Sequence, residues 1–463
     1  VLRSDSDYTR VLRVVPGGAA DIAGDLKAGD HIIGVGQAED EPMVDVIGWR
    51  LDDVVALIRG PKDTLVRLEL IPTGKGPDAN SKIIRITRDK IKLEEQAAKM
   101  SIIEIKRLEQ PVRIGVIQIP TFYIDFEGRS RGDSDYRSTT RDTRKLIDEL
   151  KFSNVDGLVI DLRGNGGGAL TESISLSGLF ISSGPIIQIR DARGRIRPRK
   201  DPDKGIAYNG PLAVLVDRES ASASEIFAGA IQDYRRGLII GEPTFGKGTV
   251  QNLIDLDRYS EDDSPVGQLK ITTAQFFRID GNSTQHRGIV PDIVLPMTVD
   301  SETQGERGLN HALPWAKIAA AKFQHFSDAS VVNELLSAKT AHEARLAIHP
   351  SLLFLRRNAA LDRRIEKQKS VSLLELARRN AKQRRDAQRQ SLFSDLYKTD
   401  PAKEHDTDAS SLEVSNRIQT IILNETTRIL ADALISIKTA NSMTGIVSDG
   451  TRSTGNTRIP VTQ

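Results

Sequence analysis

Three short runs, Ile114 to Ile119, Val155 to Leu162 and Leu212 to Val216, are apolar at nearly consecutive positions instead of alternate ones. A strand of that kind must be covered on both faces. Helix-like stretches separate the runs, so the chain reads as strand, helix, strand, and the arrangement that buries such strands is an α/β sheet between helical layers. Membrane insertion is excluded as their destiny, because a span needs about 20 apolar residues in a row. No stretch of this chain approaches that.

With 463 residues, the chain is long enough for two to four domains. Lys and Arg number 65 against 63 Asp and Glu, so the global charge makes no case for a nucleic-acid or membrane partner. There is no cysteine, which excludes disulfide scaffolds, Cys-ligated zinc, iron–sulfur clusters and thiol nucleophiles, and leaves the compartment open. The opening Val1-Leu2-Arg3 has no charged-then-apolar leader. The expectation is a processed or internal chain.

Residues 8 to 88 alternate apolar runs with turn signals: Tyr8 to Val15, Pro16-Gly17-Gly18, Ala19 to Ala23, Lys27-Ala28-Gly29-Asp30, His31 to Val35. Leu51, Val54, Val55 and Ile58 share a helical face ending at Gly60-Pro61, and Val66, Leu68 and Leu70 alternate as a strand. Residues 1–88 therefore form a small α+β domain. Pro16-Gly17-Gly18-Ala19-Ala20 and Leu26 to Val35 resemble a PDZ domain, a module that binds extended C-terminal peptides by strand addition. The resemblance also calls for a carboxylate-binding loop before the second strand, and an incomplete groove is expected because the chain starts too late to hold it. Residues 89–330 carry the α/β pattern, with 131 to 142 read as a polar loop. Residues 331–447 turn helical, with twelve Lys/Arg against four Asp/Glu between Arg356 and Arg389, and 448–463 read as a disordered tail.

Three segments carry candidate chemistry. Val214 to Phe227 is a buried strand entering a helix through Ser220-Ala221-Ser222-Ala223-Ser224-Glu225. Small residues there admit a substrate backbone, and a helix N-terminus favours developing negative charge. Ser222 and Glu225 equally fit a capping box, which needs no catalysis. Gly241 to Gln251 sets Lys247 among glycines and nearly spells a P-loop, but Gly248 stands where that motif requires Ser or Thr, so a nucleotide site is not expected. The plain alternative is a solvated lysine on a turn. Asp161 to Ala169 ends a strand in a Gly-rich turn whose amides suit an anion, although tight connections use glycine for steric reasons alone.

Together these segments, with Gly288-Ile289-Val290-Pro291-Asp292, resemble in their order the tail-specific proteases, or C-terminal processing peptidases, which are serine endopeptidases with a Ser-Lys dyad. The PDZ-like domain precedes the protease part as in that family, whose N-terminal domain is absent here. The basic helical region resembles the extension of the larger periplasmic members. The resemblance implies Ser222 as nucleophile and Lys247, 25 positions later, as general base. It implies supporting roles for Asp233 and Gln251, and an oxyanion hole from the amides of Gly168 and Ala223. It further implies polypeptide substrates with accessible, apolar C-termini, an adaptor partner, a periplasmic location at most peripheral to the inner membrane, and no cofactor or metal.

Such a base makes a demand. Lysine has a pKa near 10.4 in water, and half-deprotonation at pH 7 requires a fall of about 3.4 units. Phe245, Val250 and the strand Leu238 to Ile240 are candidates for the dry surroundings that would supply it, and neither Glu242 nor Asp233 should pair with the ammonium. The competing readings are a Ser-His-Asp hydrolase using His286, a PDZ-type adaptor or inactive fragment, and nucleic-acid binding through residues 356 to 389. The last lacks the interleaved aromatics that base stacking uses.

Overall fold

The computed structural model describes residues 1–5, 7–12, 14–15, 18–73, 80–89, 97–106, 111–203, 205–259, 266–296, 305–326, 330–366, 370, 372–398 and 411–449. The chain divides into two compact units: Val1–Ala98 with Pro120–Asp142 and Phe354–Ile421, and Lys99–Ile119 with Thr143–Leu353 and Ile422–Gln463.

The first 87 residues run β1 (Leu2–Asp5), β2 (Tyr8–Val11), α1 (Ala19–Ala23), β3 (His31–Gly36), β4 (Val44–Asp45), α2 (Leu51–Ile58), β5 (Leu65–Ile71) and β6 (Lys82–Thr87). The expected turn at Pro16-Gly17 falls outside the described residues. The strands form one antiparallel sheet in the order β1-β2-β3-β5-β6, with β4 on β3. Its alternating residues Val66, Leu68 and Leu70 join Val11, Ile32, Val35, Val54 and Ile84 in one core. Burying each such side chain is worth about 1.5–3 kcal/mol, enough to hold a domain this small together.

Next come β7 (Lys99–Ile105), β8 (Val112–Gln118), α3 (Phe126–Arg131), α4 (Thr139–Phe152), β9 (Gly157–Asp161), α5 (Leu170–Gly178), β10 (Pro185–Asp191), β11 (Ile196–Lys200), β12 (Leu212–Val216), α6 (Ala223–Asp233), β13 (Leu238–Gly241), β14 (Thr249–Asp255), β15 (Gln268–Phe277) and β16 (Ile293–Val294). The stretch 131–142 is not all loop. Ser138 Oγ accepts the Arg141 N–H at 3.3 Å, so the polar run that suggested a loop is the cap and first turn of α4.

In the second unit, β16-β13-β12-β9-β8 is a parallel sheet closed at one edge by antiparallel β7. Every residue of β9, β12 and β13 is buried, as strands covered on both faces must be. Because these strands are parallel, the segments that follow them, 162–169, 217–222 and 242–248, emerge at one end of three adjacent strands. That is where open α/β sheets build their sites. A second sheet, β11-β10-β15-β14, is antiparallel, and β14 is one of its edges.

The C-terminal region is helical: α7 (Ser330–Ile348), α8 (Pro350–Glu366), α9 (Glu375–Lys398) and α10 (Ser411–Asp449). Residues 450–463, the rest of the expected tail, lie outside the described residues. In the second unit Glu425 of α10 accepts His342 Nδ1 at 2.8 Å and a bidentate pair from Arg345 of α7. Leu430 and Leu434 of α10 close on Gly157 of β9, where a Cβ would stand 3.1–3.2 Å from both. None of the described helices is long and apolar enough to cross a membrane.

Candidate active site

The turn between β12 and α6 contains three serines that differ in what their hydroxyls do. Ser220 is fully buried; its Oγ donates to Leu162 O at 2.9 Å and accepts the Asp217 N–H. Ser224, also fully buried, donates to Asn165 O at 2.9 Å. Ser222 alone is partly exposed, and its backbone is forced to φ 55°, ψ −106°. A positive φ is unusual for a residue with a side chain, and strain of this sort costs about 1–3 kcal/mol, which the surroundings must offset.

Glu225 supplies that support. It is completely buried, one turn into α6, and its Oε2 accepts the Ser222 N–H at 2.7 Å and the Lys247 N–H at 2.9 Å. Its Oε1 accepts the Gly246 N–H at 2.7 Å and the Thr244 hydroxyl at 2.6 Å. Burial pushes this carboxyl up to about 7, and the four donors oppose that rise. The capping box expected from sequence is thus also the joint between two loops.

The Gly-rich turn lies directly against Ser222. A Cβ on Gly167, which sits at φ 104°, would stand 2.9 Å from Ala221 O, 3.0 Å from Ser222 Cβ and 3.2 Å from Ala223 N. Only glycine permits that approach. Buried Asn165 holds the turn, with Nδ2 donating to Ile119 O and Oδ1 accepting the Gly167 N–H. Asp217 ties it to the serine turn by accepting the amides of Gly164, Glu219 and Ser220, and burial raises its carboxyl to about 6. The amides of Gly168 and Ala223 have no acceptor among the described residues, and Ala223 N belongs to the unpaired first turn of α6.

The segment carrying Lys247 leaves β13 at Gly241, which sits at φ 131° and must be glycine because a Cβ there would fall 1.9 Å from Val216 O. Its Nζ donates to Gln251 Oε1 of β14 at 3.0 Å. Burial lowers its pKa and the Lys270 ammonium lowers it further, while Glu306 and Glu225 oppose both. Glu242 pairs with Arg218 and Asp233 with Arg278, so the two acids named as threats to the base are engaged elsewhere. Among the described residues Ser222 Oγ and Lys247 Nζ share no hydrogen bond.

The structure therefore brings Ser222, Lys247, Gln251, Gly168 and Ala223 to one end of the sheet and does not bring Asp233 there. At 1.5 Å per residue, eleven positions along α6 separate Asp233 from Ser222 by about 16 Å. Asp233 bonds Arg278, and its carboxyl is raised by burial against the pull of that guanidinium. His286 touches the site through its backbone, donating its N–H to Gly246 O at 2.8 Å. Its Nε2 is buried without a partner among the described residues, and neither Ser222 nor a carboxylate bonds its ring. Sequence reasoning did not find Asn165, Asp217 or Thr244. Their only trace is a polar residue within or beside a small-residue turn.

Residues 2–71 match the PDZ domain, 113–295 peptidase family S41, and 299–434 the C-terminal domain of tail specific protease. The chain is 39% identical to the tail-specific protease of Haemophilus influenzae, over 94% of its own length and 60% of that protein's. It is 30% identical to the chloroplastic carboxyl-terminal-processing peptidase 2 of Arabidopsis thaliana, over 64% and 51%. A solved structure of the photosystem II D1 C-terminal processing protease is 29% identical, with a TM-score of 0.43 and coverage of 64% of this chain and 71% of that one. The chain spans between half and two thirds of the length of these two curated relatives.

Proposed function

The chain belongs to the tail-specific protease branch of peptidase family S41, and from that premise we propose that it is a serine endopeptidase working by a Ser222–Lys247 dyad. The observation that carries the reading is the Glu225 joint, which fixes the backbones of Ser222 and Lys247 on one carboxylate. A nucleophile and a base from distant segments need such a common reference, because misplacement by 1 Å costs about 100-fold in rate.

In this mechanism neutral Lys247 Nζ takes the Ser222 Oγ proton as Oγ attacks the scissile carbonyl. The carbonyl electrons move to oxygen, where the amides of Gly168 and Ala223 hold the charge. Collapse expels the new amine, which takes the proton from the Lys247 ammonium, and leaves an acyl ester on Ser222. Water then attacks that ester, again giving its proton to Lys247, and Ser222 is regenerated with a free carboxyl product. Gln251 holds the amine in place, and Asp233 acts at a distance, by anchoring the end of α6 to Arg278.

Residues 1–88 resemble a domain that captures extended C-termini, so the substrates are polypeptides with accessible, apolar tails, presented directly or through an adaptor. The periplasm is the expected site of action, by resemblance to the larger members. The test is Lys247→Arg: guanidinium stays protonated and cannot accept the Ser222 proton. The variant should leave an unstructured polypeptide uncut and Ser222 unacylated, whereas near-normal turnover would remove the dyad and make His286 the next base to try.

A further inference from the structure

The hairpin of β14 and β15 begins two residues after Lys247, and its register fixes which side chains share a face. Gln251 is opposite Thr272 and Leu253 is opposite Lys270. Residues paired across a ladder lie on one face, as do residues two apart along a strand, so Gln251, Leu253, Thr272 and Lys270 form one patch. Lys270 is diagonal to Gln251, a step of about 7–8 Å that long side chains span. Lys247 Nζ is bonded to Gln251 Oε1 and so reaches the same patch. Lys270 itself is exposed; the same register sets Asp255, opposite Gln268, diagonal to it on the side away from Gln251, and among the described residues no carboxylate forms an ion pair with it.

We propose that Lys270 is a positioning residue for the reaction, acting through Lys247: its ammonium disfavours a second positive charge on Lys247 and keeps more of that amine neutral. The inference rests on Lys247 being the general base. The groups facing that amine are Lys270 from β15, Glu306 from the 3-10 turn Glu306–Gly308, and Glu225 from α6. The two acids favour the protonated, inactive form, and Lys270 is the cation that counters them. This division of labour agrees with burial and Lys270 together lowering the Lys247 pKa. A buried cation would be poorly suited to the task, since it would need a counter-ion of its own. An exposed one acts at the modest strength expected across a wet surface.

The experiment follows acylation of Ser222 by a neutral fluorophosphonate between pH 6 and 10, in the full chain with Lys270→Gln and Lys270→Glu. A neutral probe removes any effect of these substitutions on substrate charge. At low salt the midpoint should rise by about half a unit or more in Lys270→Gln and further in Lys270→Glu, with the high-pH plateau kept. At 1 M salt, where the screening length is about 3 Å, the three curves should converge. Superposable curves at low salt overturn the proposal, and so does a shift that persists in 1 M salt, which would mark a structural effect. Lys247→Arg separates this from the underlying reading: labelling along the wild-type curve sinks the base assignment, whereas a silent Lys247→Arg with unshifted Lys270 variants sinks this inference alone.

Discussion

Ser222 and Lys247, 25 positions apart, donate their backbone N–H groups to the same oxygen, Oε2 of Glu225. A carboxylate is the acceptor suited to this place, because four donors converge on its two oxygens and offset part of the penalty that burial sets on its charge.

Glu225→Gln should therefore be far from conservative. Its amide would aim an NH2 group at amides that can only donate. Peptidase activity should fall about 100-fold or more while the circular dichroism stays that of the folded chain. Full activity in this variant would show that the shared acceptor does not align the two residues.

The three serines should separate cleanly. Ser222→Ala is expected to abolish proteolysis without unfolding the chain. Ser224→Ala and Ser220→Ala should keep most activity but lose about 1–3 kcal/mol of stability, since each leaves a buried partner unsatisfied. An inactive Ser224→Ala beside an active Ser222→Ala would reverse the assignment.

Asp233→Asn should act on stability instead of chemistry. Breaking a buried pair strands the other charge, so a loss of about 3 kcal/mol is expected with Arg278 unpaired. The pH midpoint of Ser222 acylation should stay at the wild-type value. A moved midpoint with unchanged stability would place Asp233 in the proton path.

Asp217 predicts a pH-dependent stability of definite sign. Its folded carboxyl titrates near 6 against 3.8 unfolded, so the folded state holds the extra proton between those values. Stability then falls as pH rises through that window, by an amount on the order of 3 kcal/mol. Urea unfolding should show the wild type losing ground to Asp217→Asn from about pH 4 to 6 and no further above. A constant gap would refute this.

Chelators should leave activity intact, because in the proposed mechanism the base is an amine and the oxyanion is met by amides. Loss with EDTA and rescue by zinc would overturn that mechanism.

The local features were legible in the sequence. Leu212–Val216 coincides with β12, Leu51–Ile58 with α2, and the serine turn ends at a helix start as its small residues implied. Position 139 reads as loop in the sequence yet begins α4, because the first turn of a helix is polar by the same rule that makes loops polar. What was not legible depends on partners far along the chain. Nothing near Asp233 announces Arg278, 45 residues on, and nothing near Glu225 announces that Lys247 will arrive at its other side. Periodicity reports which face is buried, and not by what.

The contact of Leu430 and Leu434 with Gly157 bears on when this protein can become itself. The ribosome makes β9 some 270 residues before the side chains that cover it, an interval of about 15–55 s at ordinary elongation rates. Until then the sheet beside Gly157 and Ile114 lacks the two leucines that pack on it, so nascent chains halted before residue 420 should be cut readily by an added protease, and resistance in such chains would contradict this. Synthesis order alone would then hold the protease core in an immature state until the last helix is made.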